Sequence, residues 1–487
     1  MWPEQPNVSL VITEKKDYPR QVPFHPPELY PEYTGTETDP DNQVYAGVRE
    51  VFHRLGLDQE HFGTPEWNPL GEFVKPGMMV LVKPNLVRDR HIAGGDVISV
   101  LTHASVIRPI LDYVSIALKG EGRIIVGDTQ VIDAIFDKTL AVSQIDALID
   151  WYTPQASVPV ECHDFRTHHS AKVMGVGDWG RAELMGDPRG YAFVDVGEQS
   201  TYVGIPPETL RIAIAPPKNM YKHHSNGHHE YRFPKTVLAS DVIIGVPKMK
   251  THRRTGITLA LKIFMGLPGW KDTLAHFRLG SPEEGGDQYI HPSLRKRIYT
   301  KVQDWMWNTP IAPLKVFYAA VRKAIMRTKV IKPYKDTLIE GKWYGNDTVW
   351  RTLLDIHRAA VYADKDGNLC QEPQRKLFFV LDGIIGGEKS GPTQPDPFPA
   401  GVLMAGHNPA ALDAATATLL GFDIDRIPLI AKALEKSDTI QEAPGYTRSH
   451  LTVTDSEGIW TLDEFAQRYN LHFEPHPHWK GHIERGI

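Results

Sequence analysis

Five short apolar runs punctuate this chain, and each ends abruptly in polar residues beside Pro or Gly. They are Met78 to Val82, Arg123 to Val126, Val242 to Val246, Leu377 to Leu381 and Gly401 to Ala405. Continuous apolar stretches of this length, rich in β-branched residues, predict buried strands. Helical spacing falls between them. Val44, Val48, Val51, Phe52 and Leu55 mark one helix over Gln43 to Leu57, and Val106 to Leu118 marks another behind a Thr102–Ser105 cap. Further helices are expected over Val349–Val361 and the small-residue run Ala410–Leu420. Strand, helix, strand with short Gly-bearing joints is a βαβ unit, and βαβ units build parallel sheets. The expected fold is therefore α/β, a largely parallel sheet with helices on both faces.

Two stretches break that rhythm. Short strand-like runs separated by polar loops over 151–235 predict an antiparallel insertion, which also holds His223, His224, His228 and His229. Residues 291–335 carry eleven Lys and Arg against one acid, Asp304, interleaved with Trp305, Trp307, Phe317 and Tyr318. That pattern predicts two basic helices broken at Pro310 and Pro313, either a lid on the core or a contact with an anionic membrane. The organisation expected is an irregular arm over 1–42 and a first core part over 43–150. The insertion over 151–235 and a central strand with a basic loop over 236–280 follow. A basic helical lid over 281–345, a second core part over 346–435 and a wrapping tail over 436–487 complete the chain.

Composition narrows the chemistry. The 487 residues are 41% hydrophobic and 23% charged, with a formal net charge of −5, so a nucleic-acid partner is not expected. Cys162 and Cys370 alone cannot build an iron–sulfur or Cys-rich zinc site. No run of roughly 18 apolar residues predicts a membrane span, and the N-terminus lacks a secretory signal pattern; the expected location is cytoplasmic, with membrane-peripheral contact through 291–335 as an option. P-loop, nucleophile-elbow and zincin motifs are absent, and Gly383–Gly387 does not fit a nicotinamide fingerprint.

If the five strands are parallel neighbours, their ends open on one edge of the sheet, where open α/β folds bind ligands. That edge would gather Lys83 and Asn85, Asp128, the basic stretch Lys248-Met249-Lys250-Thr251-His252-Arg253-Arg254 with Lys262, then Asp382, Gly387 and Asn408. Lysines and Gly loops suit an anion. His252 titrates nearest neutrality and is the candidate proton carrier, with Lys250, Asp128 and Asp382 as further catalytic candidates. Lys83, Asn85, Lys248, Arg254, Lys262, Gly387 and Asn408 are the candidate substrate contacts. Asp128, Asp382 and Asp413 are candidate ligands for a divalent cation. Turn capping explains each carboxylate singly but explains the repeated pattern poorly.

VLVKPNLV (80–87), ASDVIIGVPKMKTHRRTGITLALK (239–262), LDGIIGGEKSGP (381–392) and NPAALDAATATLLGFD (408–423) together resemble the family known as domain of unknown function 362. The WYGNDTVWRTLLDI stretch and the GSPEEGGDQY loop resemble a longer branch of it, associated with polysaccharide gene clusters. The resemblance implies an α/β core and a Lys/His/Asp site. Two features set this chain apart: Ile263 stands where many members have Asn, and the ferredoxin-like module of some members has no cysteines to build it. The expected function is an enzyme acting on a small phosphorylated or carboxylated sugar derivative, by metal-assisted transfer or hydrolysis with His/Lys acid–base groups. The alternatives are a non-catalytic binding or assembly protein of a membrane-associated polysaccharide pathway, and an isomerase or racemase using His and Lys.

Overall fold

The apolar runs pair into one sheet of eleven strands. The computed structural model describes residues 7–173, 176–309, 311, 313–318, 320, 339–435 and 448–486. Five strands run parallel, in the spatial order Lys376–Glu388, Val242–Val246, Met79–Pro84, Arg123–Asp128 and Val160–Asp164. On the other side of Lys376–Glu388 the sheet continues with Asp396–Gly406 and Asn7–Ile12, each antiparallel to the strand before it, then Thr452–Thr454, parallel to Asn7–Ile12, and Ile459–Thr461, antiparallel to that.

Strand alternation sends side chains to two cores. Val80, Val82, Ile244 and Val380 face the helices Gln43–Arg54, Ala104–Leu118 and Ile145–Tyr152. Leu81, Ile243, Phe379 and Leu381 face the helices Val349–Tyr362 and Pro409–Leu420. The helices begin where side chains meet orphan N–H groups. Asn42 accepts from the Tyr45 amide at 3.1 Å, and Asn408 from Ala410 and Ala411 at 2.9 and 3.0 Å.

The structure is α/β, as expected, with small antiparallel pairs at the side: His168–Val173 with Val176–Glu183, Tyr191–Asp195 with Glu230–Pro234, and Leu210–Arg211 with Phe277–Arg278. Three local expectations change. Val160–Asp164 is the parallel edge strand of the main sheet, not part of the antiparallel insertion. The run after Leu377 does not stop at Asp382 but continues to Glu388. The run around Gly401–Ala405 is antiparallel to it, because only Lys389 to Pro395 join the two strands. A parallel crossover needs about a dozen residues or more, so a link this short forces a hairpin.

Leu294–Asn308 forms a helix, and 313–318 is helical again; the cations of 322–335 lie outside the described residues. Near the C-terminus, Phe473, Trp479 and Ile483 are buried in the core. The Trp479 indole donates to the Arg253 carbonyl at 3.0 Å and closes over Gly256. Among the described residues, no helix is long and apolar enough to cross a membrane.

Candidate functional site

The carboxyl ends of the parallel strands open on a cavity of about 290 Å³. Lys83 and Asp128, at the ends of neighbouring strands, form its floor. Lys83 Nζ donates to Asp128 Oδ1 at 2.6 Å and to the Pro84 carbonyl at 2.9 Å, and Asp128 Oδ2 accepts the Leu86 amide at 2.8 Å. Gly266 closes over this pair, and only a glycine fits: a Cβ there would lie 2.3 Å from Asp128 Oδ1 and 2.6 Å from Lys83 Nζ.

Pro247 interrupts the ladder after Val246, and the chain continues as a small hairpin, Lys248–His252 with Gly256–Thr258. The hairpin brings His252, Arg253, Arg254 and Thr258 to the wall, and the short helix Ala260–Ile263 adds Lys262. Lys271 and His276 enter from the following turn, and Arg88, Asp133 and Glu340 complete the charged lining. Six basic side chains thus face three carboxylates. All three carboxylates are already engaged: Asp128 with Lys83, Asp133 with Arg88 at 2.6 Å, and Glu340 with Lys342 at 2.8 Å and Arg254 at 3.7 Å. The surplus is positive.

That surplus tunes the bases. Burial, then Arg254, Lys83 and Arg253, bring the Lys262 ammonium down to about 7. Burial brings Lys271 to about 7 against the opposing pull of Asp128, and Arg254 falls to about 9. His252 and His276 are both held well below the usual imidazole range by burial first and nearby cations second, and are neutral at pH 7. Their backbone contacts fix opposite tautomers. His252 Nδ1 accepts the Arg254 and Thr255 amides at 3.1 and 3.2 Å, which leaves the proton on Nε2. His276 Nδ1 donates to the Leu274 carbonyl at 2.7 Å, which leaves a lone pair on Nε2. One ring is a donor and the other an acceptor.

Of the residues expected from sequence, Lys83, Asn85, Asp128, His252, Arg254 and Lys262 share the cavity. Lys250 sits behind it, with Nζ donating to Asn85 Oδ1 at 3.2 Å and the Val100 carbonyl at 2.5 Å, so it positions Asn85. Lys248 and Asp382 lie apart from the lining. Asp382 accepts from the Tyr18 hydroxyl at 2.5 Å, the His103 amide at 3.0 Å and Lys248 at 3.3 Å. The reason is strand parity: Asp382 falls two residues after Val380, on the face opposite Lys83. Gly387 packs against the Ser99 carbonyl and Pro395. The antiparallel turn of its strand puts Asn408 at the other edge, where it caps a helix. Asp413 accepts the Ala260 and Leu261 amides at 2.6 and 3.1 Å, beneath the Lys262 helix. Asp128, Asp382 and Asp413 therefore have three separate sets of partners and do not converge.

Among the charged and imidazole lining residues, Arg88, Asp133, Lys271, His276 and Glu340 were not among the sequence candidates, and Arg253 had no role of its own assigned. Arg253 stood inside the basic stretch, whereas Lys271 and His276 follow Gly269 in a segment without periodicity and gave no signal. The histidines of the His-rich loop are paired: His223 with Glu230 at 2.8 Å, His224 with His229 at 3.2 Å, and His228 with Asp195 of the neighbouring strand at 2.6 Å. Asp195, His228 and Glu230 come close enough together to share a cation.

Residues 197–418 match the model of the family described as a domain of unknown function (DUF362). That range holds the hairpin, the Lys262 helix and the Lys376–Glu388 strand, whereas Lys83 and Asp128 lie before it. No curated protein matches the chain. A crystal structure of a protein from Thermotoga maritima is 13% identical, with 75% of this chain and 56% of that one covered and a TM-score of 0.31. The chain thus spans little more than half the length of that protein.

Proposed function

We propose that this chain, carrying a DUF362 domain over 197–418, is an enzyme that moves a proton on a small hydroxylated anion such as a phosphorylated or carboxylated sugar derivative. One observation carries the reading: two buried imidazoles whose Nδ1 atoms make opposite backbone hydrogen bonds, one accepting and one donating, in a cavity where six Lys and Arg side chains face three carboxylates. Lys262 and Arg253, the latter with a buried Nε that no acceptor reaches, bind the anion. An arriving phosphate or carboxylate offsets the crowding of cations and keeps Lys262 protonated.

With the anion seated, His276 Nε2 takes a proton from the substrate and becomes imidazolium, which the bound negative charge stabilises. The His252 Nε2–H donates a hydrogen bond to the oxygen where negative charge builds up and keeps its proton, and the His276 imidazolium returns its proton to the adjacent carbon, so both rings end as they began. No electrons leave the substrate, so the net change is an isomerisation. Asp128 holds Lys83 at the floor rather than taking part. Metal-assisted transfer loses its support because the carboxylates expected to hold the ion do not converge.

Calorimetric titration with inorganic phosphate and a panel of sugar phosphates tests the anion site; the Lys262→Met variant is expected to lose at least tenfold in affinity. Deuterium incorporation from solvent into the bound compound, followed by NMR, tests the chemistry. His276→Gln should abolish exchange while binding persists. Unchanged affinity in Lys262→Met, or equal exchange in His276→Gln, would sink the reading.

A further inference from the structure

The helix Leu294–Asn308 carries a surface that the cavity does not use. One side is anchored to the protein: Thr300 accepts from Gln288 Nε2 at 2.6 Å, Met306 and Trp307 are buried, and Asp304 pairs with Arg211 at 3.0 Å. Away from that side stand Leu294, Ile298, Val302 and Trp305, exposed by 71%, 54%, 39% and 56%. At about 100° per residue these four fall within one arc of about 80°. Soluble proteins scatter single exposed apolar residues, but an aligned stripe of four on one helix marks a contact surface. Beyond the helix, Ile311 and Phe317 are exposed as well.

The flanks of the stripe identify its occupant. By the same angular step, Lys301 and Arg297, the latter paired with Glu284, border it on one side and Arg295 on the other, and Asp304 is the only acid of the helix. A lid would turn its apolar side toward the cavity, whereas this helix turns its buried side, with Thr300, Met306 and Trp307, toward the body. An apolar strip edged by cations, with a Trp within it, has the chemistry of a helix lying in the headgroup region of a bilayer. Leu, Ile and Val enter the acyl boundary, and Trp sits at the interface. A protein partner would need matching carboxylates around an apolar groove; a bilayer containing anionic lipid supplies both features at once.

We infer that the Leu294–Asn308 helix docks the protein on anionic lipid bilayers, with Leu294, Ile298, Val302 and Trp305 inserted and the flanking cations at the headgroups. The helix has already paid its ordering cost by packing on the body, so binding does not require coupled folding.

Co-sedimentation of the full chain with phosphatidylcholine vesicles, with and without 30 mol% phosphatidylglycerol, tests this. Binding is expected on the anionic vesicles, weak on the neutral ones and reduced at high salt. The triple variant Leu294→Ser, Ile298→Ser, Trp305→Ser leaves every cation in place and should lower partitioning at least tenfold. Its far-UV circular dichroism and thermal midpoint should match the unmodified chain, because the three side chains are exposed. Arg295→Glu with Lys301→Glu should remove the preference for anionic lipid. No binding by the unmodified chain, or equal binding by the triple variant, would overturn the inference. Either result would leave the anion-site titration standing, since none of these residues lines the cavity.

Discussion

Three residues, in the cavity or beside it, test the site one at a time. Lys262 has its folded-state value brought from 10.5 to about 7. Between those values the unfolded chain holds the proton that the folded chain has lost, so stability rises with pH from about 7 to about 10. One proton gives a slope of at most about 1.4 kcal/mol per pH unit. Urea midpoints taken across that range should show the rise, and Lys262→Met should flatten it by up to that amount, with Lys271 supplying a share of the remainder. Gly266→Ala would press a methyl into the Lys83–Asp128 pair; a loss of about 1–3 kcal/mol in urea unfolding is expected for such overpacking. Asp382→Ala removes the partner of a fully buried ammonium, Lys248. A loss of about 3–5 kcal/mol is expected, with phosphate affinity unchanged in the folded fraction. A selective loss of affinity would instead return Asp382 to the site.

At the scale of elements, the Lys262 helix is held by a residue far away in sequence. Asp413, within the helix Pro409–Leu420, satisfies the Ala260 and Leu261 amides, and burial raises its carboxyl to about 8. Asp413→Ala leaves two amides without acceptors and should cost about 1–3 kcal/mol. It should also weaken phosphate binding, by loosening the helix that carries Lys262, and equilibrium unfolding alongside calorimetry separates the two effects. This link was hidden in the sequence, where Asp413 reads as a candidate metal ligand. The parallel run of strands was legible, because continuous apolar stretches separated by helical periodicity have few other outcomes. The reversal at Asp396–Gly406 was not legible, because the apolar runs stop at Leu381 and resume at Gly401, and the short link from Lys389 to Pro395 emerges only once the folded strands extend beyond them. A shared motif of polar residues after each strand obscured it, because such a motif says nothing about strand direction.

Across the whole molecule, the sequence revealed which residue types collect at the sheet edge but not which face each one takes. Lys83 and Lys248 have the same neighbours in sequence, a strand and a proline, yet one reaches the cavity and the other Tyr18 and Asp382. A single step of strand register decides between them. His276 and Lys271 were invisible because tertiary packing alone, with no periodic pattern, brings their segment to the wall.

The sheet also has a temporal consequence. Asn7–Ile12 is hydrogen-bonded on one side to Asp396–Gly406 and on the other to Thr452–Thr454. At about 5–20 residues per second of synthesis, that early strand waits roughly 20–80 seconds for its first neighbour. Throughout that interval it presents an open edge to any other nascent chain, with Val8 and Leu10, later buried, uncovered. Yield in a cell should therefore depend on translation speed and on chaperones that shield exposed strands, more than the stability of the finished protein would suggest.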